Sequence, residues 1–393
     1  MSPIKTKKRT ATRLSVIPGN GSGAHDSAPR IAGLQVSVYR VPTDRPEADG
    51  TYQWDSTTMV LVEATAEDGE RGLGYSYCAA AAAPLIRDML APVVVGRPVA
   101  DVRGCWEAMV RAVRNVGRAG IASTAISAVD VALWDLKARQ AGQPLFRLLG
   151  PRREAVPIYG SGGFTSYTEA ELAEQLAGWV EQGIPRVKMK IGKDWGTKPE
   201  EDVERVAVAR RAIGPQAELF VDANGAYATK QAIEQAQGFV EHDVSYFEEP
   251  VSSDHRDELA FVRQQVPMAV AAGEYGWDPW YFRDLLRDEA VDIMQADVTR
   301  CLGVTGWLEA AVLAHSFAVP FSAHCAPTIH AQVGCAAPEL AHVEYFHDHV
   351  RIEHLLFDGA PEPVGGHLRP DPTRPGLGLE LRRPDADRWR IDA

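Results

Sequence analysis

The sequence predicts an α/β protein, a modified TIM barrel of the (β/α)7β type with an N-terminal α+β capping domain. Between residues 187 and 274, short apolar runs end in charged or polar residues, and helical segments separate them. Such runs are typical of buried parallel strands, and alternation of strand and helix is typical of a parallel sheet. Asp222, Glu248 and Glu274 follow one another at intervals of 26 residues, about the length of one β-α unit. The chain has 393 residues, which suits a barrel of about 250 residues and a second domain.

The capping domain is predicted over residues 31–150, as three strands followed by three helices. Residues 1–30 are rich in Ser, Gly, Pro and Lys without a period, which predicts a mobile tail. The predicted strands are Ile31–Val41, Thr57–Ala66 and Gly72–Tyr77, and the predicted helices are Leu85–Val95, Asp101–Val113 and Ile121–Ala141. A loop, Pro42–Ser56, is predicted between the first two strands, with Tyr52 and Trp54 near its end.

The barrel is predicted over residues 151–358. Its eight strands are Val156–Tyr159, Val187–Ile191, the runs beginning at Leu219, Tyr246 and Ala269, then Asp292–Asp297, Val319–His324 and His342–Phe346. Little chain remains after the eighth strand, so the last helix is predicted to be lost or replaced by the segment through Leu356. Residues 359–393 are rich in Gly and Pro, and we expect them to pack back on the capping domain.

Composition excludes several classes of partner. The formal net charge is −12, which argues against nucleic acid or an anionic membrane surface. The five cysteines are scattered and form no C-x-x-C pair, which is typical of a reducing compartment and predicts a cytoplasmic protein. No run approaches the ~18 apolar residues of a membrane span, and Met1–Arg13 lacks the apolar core of a signal peptide.

Three carboxylates are predicted at neighbouring strand ends of the barrel, namely Asp222, Glu248 and Glu274. The carboxyl ends of barrel strands converge on one mouth, where catalytic groups come from several strands. Three carboxylates at one mouth repel one another unless a cation lies between them, and hard oxygen ligands suit Mg²⁺ or Mn²⁺. The alternative is that each carboxylate is separately paired or caps a helix.

The second barrel strand carries Lys188 and Lys190, which alternation places on the same face. Two neighbouring ammonium groups depress each other's pKa, and a lysine that titrates near neutrality is a usable general base. The alternative is a pair of solvated lysines.

Strands six to eight end in three further candidates. Asp297 and His324 lie at the ends of adjacent strands, so the carboxylate can fix the imidazole tautomer and make His324 a general base or acid. Glu344 on strand eight is predicted to be a protonated acid that donates a hydrogen bond to a substrate oxyanion. The alternatives are a core histidine and a structural ion pair.

A small carboxylate substrate that chelates the metal would lie between a lysine of strand two and His324. One of these groups removes the proton α to the carboxylate, and the metal stabilises the resulting enediolate. The other group returns a proton, giving racemisation or epimerisation, or protonates a departing β-hydroxyl, giving dehydration. The residues leave this choice open.

These residues resemble the enolase superfamily, specifically its mandelate racemase subgroup, over about residues 31–381. Further support comes from the helix Ala125–Arg139 and from Gly303-Val304-Thr305-Gly306 after strand six. Leu302 is a departure, because many relatives have glycine there. The resemblance implies one Mg²⁺ per chain, with Mn²⁺ able to substitute.

The resemblance also implies roles for individual residues. Asp222, Glu248 and Glu274 would hold the metal, with Asn224 beside them. Lys190 would be the base and Lys188 its partner, and Lys188 is also a candidate for substrate binding. Asp297 and His324 would form the subgroup's dyad, Glu344 the strand-eight electrophile, and Tyr52 and Trp54 would close over the substrate. Most relatives dehydrate sugar acids and fewer racemise 2-hydroxy acids. Homo-oligomers, dimers or octamers, are expected, and the rival of another class is a non-catalytic binding barrel.

Overall fold

The computed structural model describes residues 29–392. Residues 1–28 of the tail predicted over 1–30 lie outside this range. An antiparallel sheet with helices precedes a closed barrel of eight parallel strands, which confirms the predicted fold class. Among the described residues, no helix combines the length and apolar character needed to cross a membrane.

The N-terminal domain is a three-stranded antiparallel meander covered by helices. Its strands are β1 (Ile31–Ala48), β2 (Gln53–Ala66) and β3 (Arg71–Tyr77), and its helices are α1 (Ala82–Leu85), α2 (Ala91–Val94), α3 (Val102–Ala112), α4 (Ile121–Gln140) and α5 (Leu145–Leu149), with a π-helical turn at Ile86–Leu90. Helix α4 lies directly on β3 because β3 offers glycine there. A Cβ at Gly72 or Gly74 would come within 2.3 Å of α4 backbone nitrogens, so a side chain at either position would force the helix off the sheet.

The prediction of a loop over the whole of Pro42–Ser56 is wrong in its extent. Strands β1 and β2 continue through most of this segment as a hairpin, with Glu47 paired to Trp54 after a register shift. Only 49–52 form the tip. The tip is docked on the barrel, since a Cβ at Gly50 would lie 2.8 Å from the carbonyl oxygen of Ile191 and 2.7 Å from that of Ala223.

The barrel is built from consecutive parallel strands and closes between its first and last strands, where Val343 pairs with Ile158. The strands are β4 (Val156–Gly162), β5 (Arg186–Lys190), β6 (Glu218–Asp222), β7 (Val244–Glu248), β8 (Ala269–Ala272), β9 (Ile293–Ala296), β10 (Phe321–Ala323) and β11 (Leu340–Phe346). The intervening helices are α6 (Glu169–Glu181), α7 (Lys193–Gly196), α8 (Pro199–Ile213), α9 (Thr229–Val240), α10 (Arg256–Gln265), α11 (Pro279–Arg287), α12 (Gly303–Ser316) and α13 (Pro327–Gly334). Buried Tyr159, Phe220 and Tyr246 fill the barrel below its mouth.

The segment after the eighth strand forms helix α14 (His347–Leu356), where the sequence predicted a lost or replaced helix. This helix packs towards the N-terminal domain. The Tyr75 hydroxyl donates to Glu353 at 2.6 Å, and the ring of His349 stacks on Tyr77 with centroids 3.4 Å apart. Helix α14 thus joins the mouth of the barrel to the N-terminal sheet.

The C-terminal segment runs along both domains. It contains β12 (Phe357–Asp358), β13 (His367–Leu368), β14 (Glu380–Leu381), α15 (Arg383–Ala386), a 3₁₀ turn at Asp387–Trp389 and β15 (Arg390–Ile391). Strand β15 pairs antiparallel with β1, with Ile391 opposite Val38, and β13 pairs with β4.

The two sequence features that supported the resemblance meet in space. Asp130 on α4 accepts hydrogen bonds from the Thr305 amide at 2.9 Å and hydroxyl at 2.8 Å, at the start of α12. Ser127 accepts one from the Gly303 amide at 2.9 Å. These bonds fasten the N-terminal domain to the loop after β9. The preceding Leu302 has a left-handed backbone, with φ of 71°, the conformation that favours glycine.

Candidate active site

Three buried carboxylates meet at the barrel mouth. Asp222 and Glu248 are the last residues of β6 and β7, and the two are paired in register. Glu274 follows β8 by two residues, and one ligand atom from each of the three residues lies within 4.8 Å of the others. Their exposed fractions are 0%, 0% and 3%, so the negative charge they bring together is shielded from water.

The donor set fits a hard divalent cation. Burial, followed by repulsion from Asp222, raises the pKa of Glu248 well above its usual range. Glu274 Oε2 makes no hydrogen bond although His324 Nε2 lies 3.3 Å away, and the buried Asn224 Oδ1 also lacks a partner in the described chain. Three carboxylates with a neighbouring amide oxygen are ligands of the kind that Mg²⁺ prefers.

The two lysines of β5 face the carboxylates. Lys188 Nζ lies 2.8 Å from oxygens of both Glu248 and Glu344, and Lys190 Nζ lies 2.5 Å from Asp222 Oδ2. A cavity lies between the barrel mouth and the hairpin of the N-terminal domain. Lys188 has no exposed surface and does not line this cavity, whereas Lys190 does.

The predicted mutual depression of the lysine pKa values is wrong in this arrangement. Burial lowers the pKa of Lys190, but the combined attraction of the nearby carboxylates, Asp222 first, then Glu274 and Glu248, outweighs burial and raises it above the usual range. The same balance, with Glu248 and then Glu344 as the attracting groups, raises the pKa of Lys188. The attraction of each ammonium group to its nearby carboxylates is therefore stronger than the repulsion between the two lysines.

Asp297 and His324 form a hydrogen-bonded pair beyond the ends of β9 and β10. His324 Nδ1 lies 2.8 Å from Asp297 Oδ2, while Asp297 Oδ1 accepts from the Thr299 amide at 2.7 Å and hydroxyl at 2.8 Å. Burial opposes the charge on Asp297, but the hydrogen bond and charge of His324 lower the Asp297 pKa far below its usual range. An ionised Asp297 only accepts hydrogen bonds, so it holds the proton of His324 on Nδ1 and leaves Nε2 towards the carboxylates.

Glu344 lies in a polar setting, and its predicted protonated state is wrong in this arrangement. It accepts from the Ser161 hydroxyl at 2.6 Å and the Cys325 amide at 2.9 Å, and it contacts Lys188. Burial opposes its charge, but Lys188 and then His324 lower its pKa well below the usual range. The carboxylate is therefore ionised here, where the sequence had suggested an apolar mouth.

A cavity of about 440 Å³ opens above these groups, between the barrel mouth and the hairpin of the N-terminal domain. Lys190, Asn224 and His324 line its barrel side, and Tyr52 and Trp54 line its hairpin side. The two aromatic rings are stacked, with centroids 6.2 Å apart and planes inclined by 13°. Trp54 is anchored by donating from Nε1 to Glu47 at 2.8 Å, whereas Tyr52 is 69% exposed.

Sequence reasoning missed several residues that line this cavity, among them Asp49, Arg300 and His349. Arg300 Nη1 lies 3.3 Å from Glu274 Oε1, and its Nε lies 3.5 Å from Asp297. Its place three residues after Asp297 was a usable signal, because charged residues just beyond a barrel strand face the mouth. Asp49 gave no such signal, since it lies in the other domain.

Comparison with known families covers both domains. Residues 34–150 match the family described as mandelate racemase / muconate lactonizing enzyme, N-terminal domain. Residues 171–386 match the family described as enolase C-terminal domain-like.

Individual relatives agree with the family match. The arabinonate dehydratase of Saccharolobus solfataricus is 30% identical over 339 residues, which cover 82% of this chain and 88% of that enzyme. A mandelate racemase/muconate lactonizing enzyme-like protein from Rubrobacter xylanophilus is 52% identical, with a TM-score of 0.89 over 92% of this chain and 100% of that one. The L-talarate dehydratase of Polaromonas sp. JS666, solved with Mg and L-glucarate, is 29% identical, with a TM-score of 0.83 over 93% and 98% of the two chains. The chain therefore belongs to the enolase superfamily, in its mandelate racemase subgroup.

Proposed function

We propose that this protein is a Mg²⁺-dependent dehydratase of sugar acids, which removes the proton α to the carboxylate and eliminates the β-hydroxyl through an enediolate. The observation that carries this proposal is that two proton-transfer groups, Lys190 and His324, line one cavity beside three buried carboxylates. The arabinonate dehydratase and the glucarate-bound talarate dehydratase among its relatives support the same class of reaction.

Asp222, Glu248 and Glu274 would hold the Mg²⁺, with Asn224 beside them. When bound, the ion supplies positive charge that stabilises a substrate carboxylate as it gains negative charge. The protein's own task is then to place the α-proton and the β-hydroxyl within reach of its acid and base. Arg300, held by Glu274 and Asp297, adds a fixed positive charge on the same side of the cavity.

His324 is prepared to exchange a proton at Nε2, because Asp297 occupies Nδ1. Proton transfer from the α-carbon to one of the two groups and from the other to the departing hydroxyl yields water and an enol, which becomes a 2-keto acid. The arrangement provides a proton-transfer group from β5 and another from the end of β10. The stereochemistry of the substrate decides which of the two meets the α-proton.

Lys188 and Glu344 complete the proposed catalytic set from beneath. The Lys188 ammonium bridges Glu248 and Glu344, so it connects a proposed metal ligand to the strand-eight carboxylate.

We expect the protein to form a homo-oligomer, a dimer or an octamer, in the cytoplasm.

The second candidate is a racemase or epimerase of a 2-hydroxy acid. The same two groups favour it, since removal of the α-proton by one and its return by the other inverts the carbon. A binding barrel without activity is the third. A full set of acid and base groups argues against it, because a binding protein has no use for the Asp297–His324 pair.

The test is a screen of mono- and diacid sugars with the protein and Mg²⁺, in which a carbonyl reagent detects 2-keto product. Lys190→Ala and His324→Asn are assayed in parallel, with Asp288→Asn, remote from the cavity, as the control. Keto product that is lost in the two site variants and kept in the control supports dehydration. Exchange of the α-proton with deuterated water, without keto product, would favour the racemase. Neither signal from a folded, metal-loaded protein would favour the binding barrel.

A further inference from the structure

A second cluster of potential metal ligands lies outside the cavity. Asp44 and Glu47 on β1 and His347 at the start of α14 each place one ligand atom within 4.8 Å of the others. None of the three is among the described residues that line the cavity above the barrel mouth. The cluster connects the hairpin of the N-terminal domain to the segment that directly follows the eighth barrel strand. It is therefore separate from the three carboxylates of the mouth.

A backbone irregularity brings the two acids of β1 to one side. In a regular strand, residues three positions apart point to opposite faces. The pairing of β1 with β2 shifts register between Pro42 and Glu47, and Asp44 lies within this stretch. Irregularities of this kind change the direction of a side chain and are frequent next to functional sites. Asp44 and Glu47 can therefore meet the same histidine despite their odd spacing along the strand.

Glu47 is the buried member of the cluster. Its side chain is 0% exposed, Oε2 accepts from Trp54 Nε1 at 2.8 Å, and Oε1 has no hydrogen-bond partner within the described chain. Burial, followed by repulsion from Asp348, raises the pKa of Glu47 to about 9, and Asp44 adds further like charge. A buried carboxylate with an unpartnered oxygen beside two other acids is costly unless a cation balances it.

Arg351 does not supply that balance. Its Nη2 donates to Asp348 at 2.5 Å and to the Pro42 carbonyl at 2.6 Å. Its attraction acts on the pKa of Glu47 less than the repulsion from Asp348 or from Asp44 does. The arginine is therefore engaged with other acceptors, and the charge of Glu47 is left for another positive group.

The geometry of Asp44 and His347 suits two ligands of one ion. His347 Nε2 lies 3.1 Å from Asp44 Oδ2 and 3.2 Å from Oδ1. Two ligand atoms on a tetrahedral ion with bonds of about 2.0–2.1 Å lie about 3.3 Å apart. A hydrogen bond between the two side chains accounts for the same distance, but it does not use Glu47. Both side chains are partly exposed, so an ion can enter from the solvent.

We propose that Asp44, Glu47 and His347 form a second metal site, for Zn²⁺, which fastens the hairpin of the N-terminal domain to α14. One imidazole with two carboxylates suits Zn²⁺ better than Mg²⁺, which prefers oxygen ligands. The ion would balance the charge of Glu47, and it would steady one wall of the cavity indirectly, because Glu47 holds Trp54. The site is independent of the proposed reaction, since its three ligands do not line the cavity.

The experiment measures Zn²⁺ binding to the full chain by calorimetry in saturating Mg²⁺, and locates the ion by its anomalous signal in crystals. The barrel mouth contains other potential ligands of Zn²⁺, so the new site is identified by comparing variants. We expect His347→Gln to bind one Zn²⁺ fewer than the wild type. Asp44→Asn should weaken the binding of that ion at least about tenfold, since loss of even an outer partner of a metal ligand costs this much.

His354→Gln is the matched control, because this histidine is also partly exposed and lies on the same helix. It should bind Zn²⁺ as the wild type does. Glu47→Gln separates a built site from a surface pair, since the amide oxygen can still accept from Trp54. The proposal requires that this variant lose the ion, whereas a site made of Asp44 and His347 alone would keep it.

The anomalous map of the wild-type protein decides the matter if Glu47→Gln does not fold. A peak in contact with all three side chains supports the site, and the absence of a peak beside His347 overturns it. Equal numbers of bound Zn²⁺ in the wild type and His347→Gln, or retention of the ion by folded Glu47→Gln, would also overturn it. Displacement of this Zn²⁺ by Mg²⁺ at a comparable concentration would overturn the assignment to zinc.

Discussion

Replacement of Asp297 by asparagine should block proton transfer at His324 while leaving the fold intact. The two side chains have the same shape, and the surrounding donors decide how the amide is oriented. Asp297 Oδ1 accepts from the amide and the hydroxyl of Thr299, so the amide oxygen of asparagine must stay at that position. The NH₂ group then faces His324 Nδ1, at the place where Oδ2 now lies 2.8 Å away.

The amide forces the wrong tautomer of His324. An NH₂ group donates, so Nδ1 must accept and the single proton of the neutral ring moves to Nε2. Nε2 then no longer offers a lone pair towards the cavity. Loss of one general acid or base lowers the rate by about 10²–10⁴-fold, and a fall within this range is expected in kcat for Asp297→Asn.

The assay should measure exchange of the substrate α-proton with deuterated water together with keto product. Circular dichroism and the unfolding midpoint should match the wild type closely. Asp288→Asn is a chemical match outside the site, because Asp288 pairs with Arg256 at 2.9 Å on the outer surface, and it should leave kcat unchanged. Retention of kcat within threefold of the wild type by a folded Asp297→Asn protein would refute the tautomer argument.

Three further predictions concern the hairpin tip, the metal and the acid stability. Gly50→Ala should lower kcat/KM at least about tenfold, because the new Cβ would overlap the carbonyl oxygens of Ile191 and Ala223. Gly33→Ala is the control, since a Cβ at that position meets free space, and it should change kcat/KM little. Equal kinetics of the two variants would contradict the docking of the tip. Mg²⁺ at 100 times its dissociation constant should stabilise the fold by ~2.7 kcal/mol, and thermal unfolding with and without a chelator should show this gain lost in Glu274→Gln. Burial lowers the pKa of His330 to about 4 in the fold, so the unfolded chain, with a pKa of about 6.5, binds more protons below that pH. Stability from this group is complete above pH 6.5 and is lost as the pH falls towards 4, by ~2 kcal/mol at pH 5, and urea unfolding at pH 7 and pH 5 should show a smaller loss in His330→Asn.

Much of the architecture was predictable from spacing. A strand, a helix and two turns need a nearly constant length of chain, so carboxylates 26 residues apart indicated successive strand ends before any contact was known. The same logic placed Asp297 and His324 on adjacent strands. Apolar runs identified the barrel strands because parallel strands are buried on both faces. The structure gathers these residues around one mouth, and their catalytic roles stay predictions.

Protonation states were not predictable in the same way. Lys188 meets Glu248 and Glu344, residues 60 and 156 positions away in the chain, so the direction of its pKa depends on the closure of the barrel. The K-x-K spacing indicated only the repulsion between two neighbouring lysines.

The prediction of a loop over Pro42–Ser56 was wrong in extent for a related reason. The extension of the hairpin and the place of Asp49 depend on contacts of Gly50 with another domain, and nothing local in Pro42–Ser56 encodes them.

The charge balance at the mouth links these observations to the number of metal ions. The contact network contains three permanent cations, Lys188, Lys190 and Arg300, and five carboxylates, Asp222, Glu248, Glu274, Asp297 and Glu344. Two negative charges are left over within this buried network if all five acids are ionised. Excess charge of one sign away from water is costly, and in the protein alone it is relieved at Glu248, whose pKa burial and Asp222 raise. One divalent cation balances the excess, and a second would leave the network positive. Lys188, Lys190 and Arg300 together therefore lower the charge of these five carboxylates to a value that a single Mg²⁺ per chain would neutralise, which gives the two lysines a function besides the base proposed for Lys190.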